Sequence, residues 1–175
     1  MAPHAERFVD ELACTRIGST FNQYASGPRA PLLRSRLAAY LRSRTNAPIL
    51  LVGEAPGYRG ARVSGIPFTS ERQLTGTGPA EATATIVQHA LAELGLQEDV
   101  LLWNVVPTHP GTESGNRRPT AEEVRGGVCF TSRLAEGRRV IAVGRVAANA
   151  LGIRYVRHPS HGGATAFAQG LSFLI

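Results

Sequence analysis

Four short runs of the chain are apolar and branched almost throughout: 48–53 (PILLVG), 100–106 (VLLWNVV), 139–144 (RVIAVG) and 153–157 (IRYVR). Each is too short for a helix, and near-continuous apolarity marks strands covered on both faces. Helical spacing takes over between them. Residues 31–43 (PLLRSRLAAYLRS) open on a proline suited to a first helical turn. Residues 79–95 place Ile86, Ala90, Leu91 and Leu94 on one face and end in glycine. At 119–124 (PTAEEV), Thr120 with Glu123 three positions on predicts a capped helix start. Shorter helices are expected at 145–151 and 162–170. Strands alternating with helices predict an α/β chain: a three-layer α/β/α fold around a central, mainly parallel four-stranded sheet. One domain over 1–175 is expected, with residues 1–30 as a peripheral N-terminal segment.

In such sheets ligands bind beyond the carboxyl ends of the strands. Here those ends carry GEAPG, then Asn104 and a long loop at 107–118, then a glycine and helix, then HPSHGG. A loop of that length is functional or disordered. GEAPG is a glycine-rich turn, yet it matches neither G-x-x-x-x-G-K-[ST] nor G-x-G-x-x-G, which argues against a nucleotide-triphosphate site. Its backbone N–H groups remain free to meet an anion or a polar ligand edge.

Composition narrows the setting. A content of 43% apolar residues fits a soluble globular protein, and no run approaches a membrane span. The opening MAPHAERFVDEL lacks an apolar leader core, so no secretory signal is expected. Cys14 and Cys129 are too few for a disulfide scaffold and lack metal-type spacing, which predicts a reduced cytoplasm and no metal. The net charge is +6, and all 19 basic residues are arginine. That sign favours a polyanionic partner.

Four stretches, in order, carry a resemblance. GEAPG, then WNVV, then GNRRPTAEEV with VIAVGRVAANALG, then HPS before a glycine-rich turn, together resemble the uracil-DNA glycosylase superfamily. They closely resemble its iron–sulfur branch, family 4; GYRGARVSGIPF is also similar to the single-strand-selective monofunctional branch. The similarity runs from about residue 48 to 170. It implies a uracil-DNA glycosylase-like fold and removal of uracil from DNA. The iron–sulfur branch holds its cluster with four cysteines. Their positions fall on Cys14, Ile17, near Thr108 and near Gly127, so no cluster and no other cofactor is expected.

Excising a base breaks an N-glycosidic bond through a cationic sugar and an anionic base, so both charges need stabilising. The base must also be flipped out and read by its edge and face. The resemblance implies Phe68 as the stacking platform, with Gly53 and Ala55 beside the base. Asn104 leaves an apolar strand where β-propensity disfavours it. Its carboxamide can accept from uracil N3–H and donate to O4, which distinguishes uracil from cytosine. His158 would donate to O2 of the leaving base, and Glu54 would orient water or stabilise the sugar cation. The best-known branch has aspartate where this chain has Ala55, and a methyl-excluding tyrosine where it has Gly57. With that gate missing, larger bases are expected to be tolerated unless Tyr58 replaces it. Arg59, Arg62, Arg117, Arg118, Arg157 and Ser160 are the candidates for binding DNA phosphates.

The absence of lysine has a chemical consequence. Strand nicking proceeds through a Schiff base on an amine, usually a lysine, so a monofunctional enzyme that leaves an abasic site is expected; it is expected to act as a monomer. A related branch traps the abasic sugar on a histidine; SGNRRPT has none, and His109 lies earlier, so no cross-link is expected. No bulky wedge follows HPS, which favours single strands or mismatches. Open alternatives are excision of hypoxanthine or xanthine, and a non-catalytic binder of damaged DNA. A small-molecule hydrolase is disfavoured, since G-x-S-x-G and metal motifs are missing.

Overall fold

Along residues 49–53, Leu50 and Val52 enter one buried cluster while Ile49 and Leu51 enter another. This is the side-to-side alternation that a strand imposes. The computed structural model describes residues 2–174. Helices α1 (Ala2–Cys14) and α2 (Ala30–Ser43) precede β1 (Ile49–Gly53). Then come α3 (Ala61–Ser64), α4 (Glu71–Thr75), α5 (Ala82–Glu93) and β2 (Val100–Asn104). The chain continues through α6 (Ala121–Ala135), β3 (Arg139–Val143), α7 (Arg145–Leu151), β4 (Tyr155–Val156) and α8 (Ala164–Leu174). The strands form one parallel sheet in the order β2-β1-β3-β4. One face packs on α1, α2, α6 and α7, the other on α5 and α8, giving the expected three layers. Among the described residues no helix is long and apolar enough to cross a membrane.

Several boundaries differ from the sequence expectation. Helix α5 starts at Ala82, and its buried face is Ala84, Val87, Ala90 and Leu91. Ile86 lies beside that face and Leu94, now the capping residue, is exposed. The last strand shrinks to Tyr155–Val156. Two short helices, α3 and α4, break the segment after β1, each stopped by a glycine in the left-handed conformation, Gly65 and Gly76.

The N-terminal segment is not peripheral. Phe8, Val9 and Leu12 of α1 are buried in the main core, and Phe8 meets Trp103 and Phe130 edge-on at 5.6 and 5.5 Å. Downstream, Tyr24 is buried and donates through its hydroxyl to the Gly65 carbonyl at 3.0 Å. Leu12→Ala should therefore cost about 2–5 kcal/mol in stability, read by urea unfolding. A peripheral side chain would change it by no more than about 0.5 kcal/mol.

Candidate active site

The register pairs Gly53 with Asn104, so the ends of β1 and β2 lie side by side. The backbone pairing continues outward: Val105 N–H donates to Gly53 O at 2.9 Å and Val106 N–H to Glu54 O at 3.0 Å. Across the sheet, Gly144 N–H donates to Val156 O at 2.9 Å. The segments leaving β1, β2 and β4 therefore share one sheet edge. There they enclose a cleft of about 410 Å3.

Its floor is Phe68, whose ring lies directly over Gly53. A Cβ added at Gly53 would stand 2.3 Å from Phe68 Cζ and 2.9 Å from Asn104 Oδ1. Glycine is thus what lets the ring and the amide meet. Phe68 itself has φ 51°, a left-handed conformation costly for a bulky residue. Neighbours hold it there: Gln88 Nε2 donates to the Phe68 carbonyl at 3.0 Å, and Ser64 Oγ donates to Thr69 O at 2.6 Å. Asn104 is 4% exposed, and its amide makes no hydrogen bond among the described residues while lining the cleft. The amide is open to the cleft and not sealed from solvent, so a ligand that enters can supply its partners.

His158 faces the same cleft. Its Nδ1 accepts from the Ser160 backbone N–H at 3.2 Å and lies 2.7 Å from Ser160 Oγ. A nitrogen that accepts carries no proton, so the ring proton sits on Nε2. Burial, helped by the nearby His161, holds this imidazole below the usual histidine range. The cleft therefore holds a neutral ring with one N–H to donate.

Glu54 also lines the cleft, and its carboxylate has no hydrogen-bond partner among the described residues. Burial pushes its carboxyl upward, and the positive charge of Arg118 partly offsets that. A second acid stands nearby. Glu81, immediately before α5, lines the cleft and is likewise raised by burial. Together these groups can stack a flat ring, read a polar edge, stabilise an oxygen anion and face a cation.

A family model for the uracil DNA glycosylase superfamily matches residues 42–170. The chain belongs to that superfamily. Membership brings DNA glycosylase activity in general, with DNA as substrate. Among solved structures, wild-type SMUG2 of Pedobacter heparinus is similar with a TM-score of 0.69 at 14% identity. That match covers 99% of this chain and 97% of the other, and it concerns the fold. No curated protein matches.

The cluster of the iron–sulfur branch does not fit the residues present here. At the four matching positions, Ile17 is buried in the core and Thr108 Oγ1 pairs with Thr20 Oγ1 at 2.5 Å. A Cβ at Gly127 would stand 2.1 Å from Val105 O, so α6 packs straight onto the backbone there. Cys14 and Cys129 are both exposed. Ordinary packing occupies the space.

Of the residues singled out in the sequence, Glu54, Ala55, Phe68, Asn104, His158, Ser160 and Arg117 line this glycosylase's cleft, with Gly53 beneath. The phosphate candidates divide. Arg59 and Arg118 are exposed with no side-chain partner among the described residues, and Arg157 is exposed with one long bond to His161 O at 3.5 Å. Arg117, by contrast, is held by Glu123 at 2.6 and 2.8 Å, bonds that bring the Glu123 carboxyl down to about 2. Arg62 pairs with Glu113 at 3.1 Å and lies over the Phe21 ring at 5.0 Å. Ser160 turns its hydroxyl to His158. For these three, the structure supplies a partner other than phosphate.

Tyr58 does not line the cleft; its backbone N–H donates to Asn116 Oδ1 at 2.8 Å. His109 is fully buried, its ring nitrogens 2.7 Å from Pro56 O and 2.8 Å from Thr112 O. It fastens the 107–118 loop to the GEAPG turn and stays out of the cleft. Four polar cleft residues escaped sequence reasoning: Glu81, Thr83, Asn116 and His161. An acid at a helix start reads as a dipole partner, which hides Glu81.

Proposed function

We propose that this glycosylase hydrolyses the N-glycosidic bond of uracil in DNA, releasing the free base and leaving an abasic site without cutting the strand. The observation that carries the reading is the convergence of Phe68, Asn104 and His158 on one cleft, with Gly53 removing the obstacle between the first two. The flipped base stacks on Phe68. Asn104 accepts from N3–H and donates to O4; cytosine presents the reverse pattern and leaves both partners unmatched. As the C1′–N1 bond breaks, its electron pair passes into the base, and Nε2–H of His158 donates to O2 where charge collects. Glu54, ionised, faces the sugar cation and orients the water that adds to C1′. The water's proton leaves to solvent.

The chain has no lysine, so the usual amine for strand cleavage is missing. The N-terminal amine lies on Met1, outside the described residues. Arg59, Arg118 and Arg157 remain the phosphate contacts of this reading, with the protein acting as a monomer.

The test is release of free uracil from a labelled oligonucleotide, with intact strands until base or heat is added. A wild type that binds damaged DNA but releases no base overturns the reading in favour of a binder. Glu54→Gln should lower kcat/KM about a hundredfold. It should also change the acid side of the pH profile. Activity needs Glu54 ionised, with a carboxyl raised above its ordinary value, and His158 neutral, with an imidazole lowered below its own. Acidification removes both conditions, so log kcat/KM falls with a slope approaching two. In the variant only the imidazole titrates, and the slope becomes one.

A further inference from the structure

Resting on the uracil reading above, we propose that Glu81 is the residue that rejects thymine: its carboxylate forms the wall of the base slot over Gly57 and Gly60. A Cβ added at Gly57 would stand 1.7 Å from Glu81 Oε1, and one at Gly60 would stand 2.0 Å from Oε2. The carboxylate therefore occupies the space that a side chain at position 57 would otherwise fill. Both glycines are needed to admit it. The tolerance of larger bases expected from Gly57 is thus removed by a group arriving from another element.

The backbone fixes the aim of this side chain. Glu81 N–H donates to Ser70 Oγ at 2.9 Å, and its carbonyl accepts from Thr85 N–H at 3.1 Å. The carboxylate itself pairs with nothing among the described residues. That sets it apart from structural acids of this chain: Glu71 is bonded to Arg29 and Arg36, and Glu123 to Arg117. Among the described residues, the carboxylates of Glu54 and Glu81 are the only ones not exposed that have no such partner, and both line the cleft. An unpaired, partly desolvated acid is tolerated where a ligand or its approach requires it.

The position follows from the pose. Asn104 takes N3 and O4, His158 takes O2, and N1 leads to the sugar, so C5 and C6 form the unread edge. C5 lies on the O4 side, away from His158, and in the proposed pose it is set against Gly57 and Glu81, both of which line the cleft. A hydrogen at C5 leaves the carboxylate its solvent contact. A methyl there displaces that solvent and offers no hydrogen bond in return, besides meeting the oxygen sterically.

Excision of uracil and thymine from otherwise identical oligonucleotides, single-stranded and opposite guanine, tests the assignment in wild type, Glu81→Ala and Glu81→Gln. Wild type should release uracil and reject thymine. Glu81→Ala should lower the uracil-to-thymine ratio of kcat/KM about 10–100-fold, while Glu81→Gln, of equal volume, keeps thymine out. Should Glu81→Ala fail to fold, Glu81→Asp withdraws the oxygens by one methylene and should lower the ratio in the same direction. An unchanged ratio in a folded, uracil-releasing variant overturns the role of Glu81 alone. A wild type that releases no uracil overturns the base reading beneath it, which is a different result.

Discussion

Replacing His158 by alanine should lower kcat/KM for uracil release about a thousandfold while leaving DNA affinity nearly intact. The loss belongs in kcat, because Nε2–H gains strength only as negative charge collects on O2. A preorganised donor of this kind accounts for about 10²–10³ in rate. The donor is preorganised by Ser160, whose backbone N–H and hydroxyl both address Nδ1. Ser160→Ala removes only the hydroxyl and should cost no more than about tenfold, since the backbone contact still fixes the tautomer. Burial matters as well. An imidazole held below its ordinary range stays neutral at pH 7 and leaves the base anion a neutral donor. Single-turnover rates on a uracil-containing single strand measure the effect. A loss below tenfold in a folded His158→Ala protein would mean that the leaving base finds its stabilisation elsewhere.

Much of this cleft could be read before the fold was known, and the reason is geometric. Parallel strands deliver their carboxyl ends to one edge, so Glu54, Asn104 and His158, each next to a strand end, had to come together. Helix α6 was equally legible, because Thr120 and Glu123 form a reciprocal cap. Other features left weaker traces. Phe8, Val9 and Leu12 do make an apolar stripe on α1, yet Glu6 and Arg7 before them and Asp10 and Glu11 among them make the segment read as peripheral. The left-handed backbone of Phe68 leaves no mark in composition or spacing. Arg117 looked free because its partner, Glu123, was already spent on capping α6; the carboxylate serves both. Glu81 was hidden for a related reason. Its role depends on two glycines in a distant turn, and no periodicity links them.

A single methyl at Gly53 should disable the enzyme about a thousandfold. In most strands Gly→Ala is neutral or favourable, since alanine loses less backbone entropy on folding. Here the added carbon would lie 2.3 Å from Phe68 Cζ, 2.9 Å from Phe68 Cε2 and 2.9 Å from Asn104 Oδ1. Something has to move, and the ring cannot retreat freely. Its backbone sits at φ 51°, its carbonyl is held by Gln88, and it is packed among the residues of the second core. Relief must come from tilting the ring and swinging the amide together. A displacement of about 1 Å in a positioning group costs about a hundredfold, and two groups shift at once. The overpacking itself should cost about 1–3 kcal/mol, which leaves the fold standing, so the loss in rate far exceeds the loss in stability. That separation is the diagnostic. If Gly53→Ala keeps uracil release within tenfold of wild type, Phe68 and Asn104 do not act on the same bound ring, and the slot must be redrawn around His158 alone.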